Sequence, residues 1–399
     1  MSETHETSET ASGSSAVDPL ALPGLLRPAI EAASEEADRR ADVPTELYGA
    51  LRDAGAFRLL TPRALGGSQT PLTTVLKVYE GFGRIDASVA WLVWNANFGF
   101  VGALLDESAT ERIWGREHEP AFANSGMPGT AVPAEGGYRV SGHWRIVSGI
   151  NAAEWLVAVV VVLEDGAPRM TAAGTPDVQL CVLGRDQWSV KETWDVSGMR
   201  GTGSNDVVVE DAFVPADFLA PLDAPLDAPL RIDEPLYRGF LPSLVLPGCT
   251  AIVLGIAQAA LDETVALVLT KRNSTGATLA ESPRTQYVLA DSEAALQAAR
   301  LLLTSAAQTL QDAAERGDTP TLEQRAALRA AMTHAAQVSR RTLVTLYELA
   351  SSTSLYRGNR LERLFRDGMA ALQHANHSAL PMEAAGRVRL GMEPGLGLF

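Results

Sequence analysis

The spacing of apolar residues changes twice along this 399-residue chain, and this change constrains the fold more than any other feature. From residue 19 to 118, apolar side chains recur every three or four positions, which predicts helices. From 119 to 218, short β-branched runs bounded by Gly, Asp and Pro predict an antiparallel β domain. From 236 to 399, long Ala- and Leu-rich periodic stretches predict a helical bundle. We therefore expect an α+β protein with helical, β and helical domains in that order.

Two segments of unusual composition border these domains. Residues 1–18 are rich in Ser, Thr and Glu and contain no aromatic residue, a composition typical of a disordered tail. Residues 219–235 include the repeat APLDAPLDAPL, whose regularly spaced prolines prevent a continuous helix. We expect this second segment to be a linker between the β domain and the C-terminal bundle.

The charge and hydropathy of the chain argue against two classes of partner. Lys and Arg total 33 against 48 Asp and Glu, which gives a formal net charge of −15. No local basic patch opposes this charge, so we expect no nucleic-acid partner. The longest uninterrupted apolar run, Trp155–Leu163, is much shorter than the roughly 20 residues of a membrane-spanning helix, so we expect no membrane association.

The N-terminus and the cysteines bear on the cellular compartment and on metal binding. The N-terminus has neither the basic nor the apolar segment of a secretory signal, so we expect a cytoplasmic protein. Cys181 and Cys249 are far apart and form no CxxC motif, which fits a reducing compartment. His374 and His377 are three residues apart, but no third ligand of suitable spacing accompanies them. We therefore expect no metal site.

Three motifs within this helix–strand–helix order carry a resemblance to a known family. GHWRIVSGINAAEW begins at residue 142, WDVSGMRGTGSNDVVVEDAFVP begins at 194, and RLFRDGMAALQH begins at 363. Together they resemble the acyl-CoA dehydrogenase superfamily over nearly the whole chain after the tail. The resemblance implies an acyl-CoA dehydrogenase-like fold and a flavin cofactor. Two kinds of flavoprotein share that fold: dehydrogenases that oxidise acyl thioesters, and two-component monooxygenases that take reduced flavin from a separate reductase.

Three departures from the dehydrogenase pattern separate these two kinds. The catalytic Glu of a dehydrogenase usually lies nine residues after the Arg of an Arg-Asp pair, and that position, counted from Arg366, is Ala375. The alternative location for that base, within residues 235–261, contains no Asp or Glu. The sequence SSTSLY, residues 351–356, replaces the Gly-Gly-x-Gly stretch on the adenine side of FAD. The resemblance therefore favours the reduced-flavin-dependent, group D monooxygenase branch.

The resemblance also implies roles for individual residues. Ser148 and His374 match a Ser and a His that the monooxygenases keep beside the flavin ring, so we expect both to be catalytic and to bind the cofactor. Arg272 matches a cofactor phosphate ligand that often reaches across a subunit boundary. The other residues expected to bind flavin are Asn124, Trp194, Thr202 and Ser204, and those expected at the substrate pocket are Trp94, Asn95 and Asn97.

Without the resemblance, these residues have simpler interpretations. Ser148 precedes a glycine and fits an ordinary turn, and the tryptophans fit core packing. His374 also fits an exposed helix end. The neighbouring Arg366 and Asp367 fit a structural ion pair, which is the role we expect for them.

The predicted function is a flavin-dependent monooxygenase that hydroxylates or N-oxygenates a small organic substrate. The resemblance implies that it uses reduced FMN or FAD and O2 through a flavin C4a-(hydro)peroxide. It also implies a separate flavin reductase as a partner and assembly as a homotetramer. Two alternatives stay open: an acyl-CoA dehydrogenase-like flavin dehydrogenase or oxidase, and a non-catalytic scaffold of the same fold.

Overall fold

A computed structural model describes residues 17–116, 118–172, 174–222, 230–238, 241–397 and 399. Its N-terminal part is helical, as the apolar spacing predicts. The helices are α1 (Leu22–Arg40), α2 (Thr45–Asp53), α3 (Leu72–Gly83), α4 (Ala87–Ala96) and α5 (Glu107–Trp114). Most of the predicted tail, residues 1–16, lies outside the described part.

Helix α4 lies at the centre of the molecule. Each of its ten residues is buried, and the helix is apolar on almost every side, as expected of a helix surrounded by protein. It begins at Asp86, whose Oδ1 accepts a hydrogen bond from the backbone N–H of Val89 at 3.0 Å and caps the first turn. From this position α4 contacts both the β domain and the C-terminal helices.

The central part is an eight-stranded sheet in the order β6, β7, β2, β1, β3, β5, β8, with β4 beside β3. Its strands are β1 (Phe122–Ala134), β2 (Gly137–Val147), β3 (Trp155–Glu164), β4 (Ala167–Pro168), β5 (Val178–Gly184), β6 (Ser189–Lys191), β7 (Asn205–Pro215) and β8 (Leu219–Pro221). Strands β2 and β7 are antiparallel, with Val147 opposite Asn205. The end of β2 therefore lies beside the start of β7.

One strand pair differs from the predicted antiparallel domain. Strands β1 and β3 run parallel, with Phe122 opposite Trp155 and Ala131 opposite Val162, so the sheet is mixed. Strand β1 also lies before Gly136, where the β-branched runs of the sequence begin, and it contains Gly and Pro, which are unfavourable in strands. The structure accommodates them in a bulge between Ser125 and Pro128.

The C-terminal part is the predicted helical bundle. Its helices are α6 (Leu241–Val245), α7 (Pro247–Thr270), α8 (Pro283–Glu315), α9 (Leu322–Ala350), α10 (Arg360–Ala371) and α11 (Leu380–Arg389). The segment Leu241–Thr270 is long and apolar enough to cross a membrane, but 89% of its most apolar window is buried within the protein. Burial in the core of the bundle accounts for that composition.

Two predicted boundaries shift in the structure. Leu219–Pro221, placed in the linker by sequence, forms β8 against β5, and residues 223–229 of the linker lie outside the described part. Helix α10 ends at Ala371 and does not continue to His377 as the apolar spacing suggests. His374 instead has extended backbone angles (φ −59°, ψ 140°) and precedes a short 3-10 turn, Ala375–His377. The backbone therefore turns at His374.

Candidate active site

Three of the predicted flavin residues form a chain of hydroxyl groups. The Oγ atoms of Ser148 and Ser204 are 2.8 Å apart, and Ser204 Oγ is 2.6 Å from Thr202 Oγ1. Thr202 Oγ1 also donates to the backbone carbonyl of Met199 at 2.8 Å. All three side chains are buried, since Ser148, Ser204 and Thr202 are 3%, 2% and 1% exposed. We call Ser148, Ser204 and Thr202 the hydroxyl ladder.

The ends of β2 and β7 bring the hydroxyl ladder together. Ser148 directly follows β2 and Ser204 directly precedes β7, and the last residue of β2, Val147, pairs with the first residue of β7, Asn205. The N–H of Gly149 donates to the carbonyl of Thr202 at 2.9 Å, which fixes the two loops against each other. Met199 and Gly203 have left-handed φ values of 57° and 52°, so the chain turns sharply on both sides of Thr202.

Trp194 is held beside the ladder by backbone carbonyl groups. Its indole Nε1–H points at the carbonyls of Met199 and Arg200, at 3.3 and 3.1 Å. Its backbone N–H donates to Oδ1 of Asn205 at 3.1 Å. The side chain keeps some exposed surface, so the structure presents an oriented aromatic ring next to Thr202.

His374 packs against two tryptophans of helix α4. Its ring centroid is 5.6 Å from those of both Trp91 and Trp94, with edge-on geometry in each case. Burial among protein atoms lowers the pKa of His374 to about 4. His374 as a residue is nevertheless only partly buried. His374 is therefore a neutral imidazole at pH 7, packed beside two indole rings.

His377, unlike His374, is bound entirely to protein groups. Its Nδ1 is 3.2 Å from the carbonyl of Ala371, and its Nε2 is 3.3 Å from Thr250 Oγ1. Burial, with smaller contributions from His374 and Arg340, lowers its pKa to about 3. These contacts give His377 a structural role. Within the described residues, no group of three or more His, Cys, Asp or Glu side chains is placed to hold a metal ion.

Asn95 and Asn124 face each other where α4 meets β1. Asn124 Nδ2 donates to both the backbone carbonyl and Oδ1 of Asn95, each at 3.0 Å. Asn95 Nδ2 donates to the carbonyl of Trp91 at 2.8 Å. Asn124 therefore lies on a strand and not in a turn, and the pair joins the β domain to the helix that carries the tryptophans of the His374 site.

Asn97 does not join this group, although we expected it at the substrate pocket. Its Nδ2 donates to the carbonyls of Ala56 and Val93 at 2.7 Å each. Its Oδ1 accepts from the N–H groups of Leu59 and Leu60, at 2.7 and 3.4 Å. Because these bonds use both amide hydrogens and the carbonyl oxygen, Asn97 is a structural residue that fixes the loop after α2.

Helix α4 connects the ladder to the histidine. A Cβ atom added to Gly149 would lie 3.0 Å from the Leu92 side chain, and one added to Gly201 would lie 3.2 Å from that of Ser88. The ladder loops thus pack closely on α4, and a larger residue at either position would force its neighbour to move. Trp91 and Trp94 extend from the same helix to His374.

A buried ionic cluster supports the loop that carries Met199. The sequence indicates this cluster only in part. Arg363 Nη2 is 2.8 Å from Asp86 Oδ2 and Arg363 Nε is 3.4 Å from Asp367 Oδ2. Asp367 Oδ1 accepts from the N–H of Met199 at 2.8 Å. Burial raises the pKa of Asp367 to about 6 despite these partners. Of these residues, the sequence predicts only Asp367, since the others depend on contacts between distant segments.

The neighbouring Arg366 is structural as well, in agreement with the expected ion-pair role. It contacts Asp38 of α1 at 2.8 Å and Glu362 at 3.0 Å. It therefore joins α10 to α1. Arg272 lies elsewhere, just beyond α7, where its exposed guanidinium donates to the carbonyl of Gly276 at 2.6 Å. Within a single chain, the structure gives Arg272 no contact with the hydroxyl ladder or with His374.

Comparison with known proteins shows the family of this chain. Residues 25–117 match the N-terminal domain of acyl-CoA dehydrogenase, and residues 248–379 match its C-terminal domain. Indole-3-acetate monooxygenase of Pseudomonas putida is 30% identical over 369 residues, which cover 90% of each chain. The oxygenase subunit HsaA of the flavin-dependent monooxygenase of Rhodococcus jostii is 28% identical, over 89% of this chain and 93% of the relative.

A solved structure agrees with these sequence relatives. The 3-HSA hydroxylase from Rhodococcus sp. RHA1 superposes with a TM-score of 0.89 at 25% identity, over 96% of this chain and 99% of the hydroxylase. The predicted fold and the predicted branch of the family are both confirmed. The chain therefore belongs to the acyl-CoA dehydrogenase family, within its branch of flavin-dependent monooxygenase oxygenase components.

Proposed function

We propose that this protein receives reduced flavin from a separate reductase and uses O2 to hydroxylate a small aromatic molecule. The observation that carries the proposal is the setting of His374: a neutral imidazole packs against both Trp91 and Trp94, and the residue stays partly accessible. It is followed by Ala375, at the position where the dehydrogenases keep their carboxylate base.

The side chains of this region suit a flavin ring. An isoalloxazine is flat and has polar edges, which a hydroxyl group, an indole and an imidazole match without adding charge. We assign Ser148, Trp194, Asn124 and His374 to its surroundings, and place Thr202 and Ser204 behind Ser148. The bound reduced flavin would supply the electrons that activate O2, while the protein orients the reactants and excludes water.

His374 has a defined tautomer in this proposal. Its Nδ1 accepts a hydrogen bond from the N–H of Asn376 at 3.4 Å, so the proton of the neutral ring is on Nε2. Nε2–H can donate to oxygen or to a substrate hydroxyl, and the pKa of about 4 keeps a second proton off the ring at pH 7. We therefore propose His374 as the proton-handling catalytic residue.

An aromatic substrate is supported by the walls of the site and by the relatives. Trp91 and Trp94 lie edge to face, 4.8 Å apart, and make the surroundings of His374 aromatic. Relatives include an indole-3-acetate monooxygenase and a resorcinol hydroxylase, and the substrates in both names are aromatic. We propose Asn95, beside these tryptophans, as the polar group of the substrate pocket.

We keep both FMN and FAD as candidate cofactors. Structures of this fold include XiaF with FADH2 and KijD3 with FMN. Arg272 is exposed and positively charged at the end of α7, which suits a phosphate contributed from a neighbouring subunit. Comparing the dissociation constants of FMNH2 and FADH2 for the wild type and for Arg272→Ala tests which cofactor depends on this residue.

We propose a cytoplasmic homotetramer. Apolar side chains on α7 and α8 are unusually exposed: Leu269 61%, Tyr287 71%, Leu301 60% and Leu302 47%. Such a group of exposed apolar residues is typical of a contact between subunits. Mass photometry of the purified protein is expected to give a tetramer, and a monomer that still binds flavin would contradict this assembly.

One assay separates the proposed activity from the dehydrogenase alternative. The protein is mixed with a general NADH-dependent flavin reductase, flavin, O2 and either indole-3-acetate or resorcinol as probes. We expect substrate loss with formation of a product one oxygen atom heavier, only when the reductase is present. Tight binding of oxidised FAD that an acyl-CoA bleaches without O2 would instead establish a dehydrogenase. A correctly folded protein that binds no flavin would instead be a non-catalytic scaffold.

A further inference from the structure

The hydroxyl ladder ends on a backbone carbonyl, and this end fixes the direction of every hydrogen bond in it. Thr202 Oγ1 lies 2.8 Å from the carbonyl oxygen of Met199. A carbonyl oxygen only accepts, so the hydrogen between the two atoms belongs to Thr202. Two oxygens this close without an intervening hydrogen would repel each other. Thr202 must therefore use its only hydroxyl hydrogen to donate to the Met199 carbonyl.

Because each hydroxyl carries a single hydrogen, the direction passes along the ladder. Thr202 has used its hydrogen on Met199, so in its 2.6 Å contact with Ser204 it accepts and Ser204 donates. Ser204 then accepts in its 2.8 Å contact with Ser148, and Ser148 donates. Toward a ligand, Ser148 consequently offers lone pairs only.

The surrounding backbone holds the ladder in this arrangement. The N–H of Gly149 donates to the carbonyl of Thr202 at 2.9 Å, which ties the residue after Ser148 to the far end of the ladder. Asp367 Oδ1 accepts a hydrogen bond from the N–H of Met199 at 2.8 Å. This bond fixes the position of Met199, whose carbonyl ends the ladder. If the hydrogen bonds of the ladder ran in the opposite direction, the buried carbonyl of Met199 would lose its shortest hydrogen bond.

We propose that Thr202 and Ser204 make this protein select reduced over oxidised flavin by holding Ser148 as a hydrogen-bond acceptor. The inference rests on the proposed function, which places Ser148 beside the flavin ring, and includes the proposal that Ser148 faces ring atom N5. The two redox states differ at ring atom N5, which carries a hydrogen in reduced flavin and a bare lone pair in oxidised flavin. A fixed acceptor can form a hydrogen bond with the N5–H of reduced flavin. It repels the N5 lone pair of oxidised flavin. Thr202 and Ser204 are positioning residues, since they act through Ser148.

The test measures equilibrium binding and does not depend on turnover. Dissociation constants of oxidised and dithionite-reduced FMN and FAD are measured without O2 for the full chain and three variants. Ser204→Ala removes the acceptor of the Ser148 hydrogen, and Thr202→Val removes the acceptor of the Ser204 hydrogen, so that Ser204 can donate to Ser148 instead. Thr264→Val is the matched control, because Thr264 is also fully buried but donates to the carbonyl of Ala260 within α7.

We expect the wild type to bind the reduced form more tightly. In Thr202→Val and Ser204→Ala the ratio of the two dissociation constants should fall by at least about fivefold, the equivalent of one ordinary hydrogen bond. The fall should come mainly from tighter binding of oxidised flavin, and Thr264→Val should keep the wild-type ratio. The midpoint potential of the bound flavin gives an independent check, since a tenfold change in the ratio moves a two-electron couple by about 30 mV.

The outcomes separate this inference from the proposed function. A wild type that binds reduced flavin, with ladder variants that keep its binding ratio, overturns the role of the ladder and leaves the monooxygenase assignment intact. A wild type without preference between the two forms overturns the ladder role as well. A folded wild type that binds neither form overturns the proposed function itself. Ser204→Ala provides the test by itself if Thr202→Val fails to fold.

Discussion

The buried carboxylate of Asp367 accepts a hydrogen bond from the backbone N–H of Met199 at 2.8 Å. This contact joins helix α10, which leads to His374, to the loop that supports the hydroxyl ladder. Met199 has a left-handed φ of 57°, a conformation that a non-glycine residue keeps only when its surroundings hold it there. One carboxylate thus couples the two halves of the candidate site.

Asp367→Ala should destabilise the protein by roughly 2 to 4 kcal/mol, because it leaves a buried N–H without an acceptor and removes one carboxylate partner of Arg363. Urea unfolding at pH 8 measures the change. Asp262→Ala is the matched control, since Asp262 pairs with Arg84 at an exposed site and should change stability by less than about 1 kcal/mol. Equal effects of the two substitutions would contradict the structural role of Asp367.

His377 should make the protein less stable in acid. Its folded-state pKa of about 3 lies below the usual 6.5, so the unfolded chain takes up a proton at pH values where the folded chain does not. The contribution is therefore fully present above pH 6.5 and is lost as the pH falls, by roughly 3 kcal/mol between pH 6.5 and 4. His377→Gln should flatten the dependence of unfolding free energy on pH. Gln373→Ala, at an exposed position without a titratable group, should leave it unchanged; a flattening of the same size there would contradict the assignment.

Asn97 and Asn95 should respond differently to truncation. Asn97→Ala removes four hydrogen bonds to buried backbone groups and should lower the unfolding free energy by about 3 kcal/mol, with flavin binding unchanged once the protein is folded. Asn95→Ala should cost less stability and should raise KM for the aromatic substrate. Thermal unfolding and steady-state kinetics of both variants check this difference. A stable Asn97→Ala protein with a raised KM would return Asn97 to the substrate pocket.

The order of domains was predictable because each domain follows from a local pattern. Helical spacing and β-branched runs depend only on neighbours in sequence, so the order of helices, strands and helices follows from them. The parallel pairing of β1 with β3 was not predictable in this way. It depends on how two strands separated by β2 meet in space. The bulge between Ser125 and Pro128 also interrupts the alternating pattern by which β1 could have been recognised in the sequence.

The candidate site was predictable only as a set of residue types. The resemblance indicates Ser148, Thr202, Ser204 and His374, but not that three of them share one hydrogen-bonded ladder. The different roles of Asn95 and Asn97 also depend on structure, since two amides two positions apart face different segments. Arg363 and Asp86 gave no signal because their contact spans 277 residues of the chain.

His374→Ala should reduce substrate oxygenation by about 100-fold or more, the usual range for loss of a positioned acid or base. Reduced flavin should still bind, and its oxidation should release H2O2 in place of product. The ratio of product to H2O2 measures this uncoupling. Gln373→Ala alters an adjacent exposed side chain that bonds only to the carbonyl of Met369, and it should leave the ratio unchanged. If His374→Ala kept the wild-type ratio of product to H2O2, His374 would have no catalytic role.

The central claim is that the protein transfers one atom of O2 to a substrate at the expense of reduced flavin. A single-turnover reaction tests it most directly: protein loaded with prereduced flavin and an aromatic substrate is mixed with ¹⁸O2, and the product is analysed by mass spectrometry. We predict a product that contains one ¹⁸O atom, in an amount that approaches the bound flavin and falls sharply in His374→Ala. Product oxygen derived from water, or oxidised substrate formed without O2, would contradict the account.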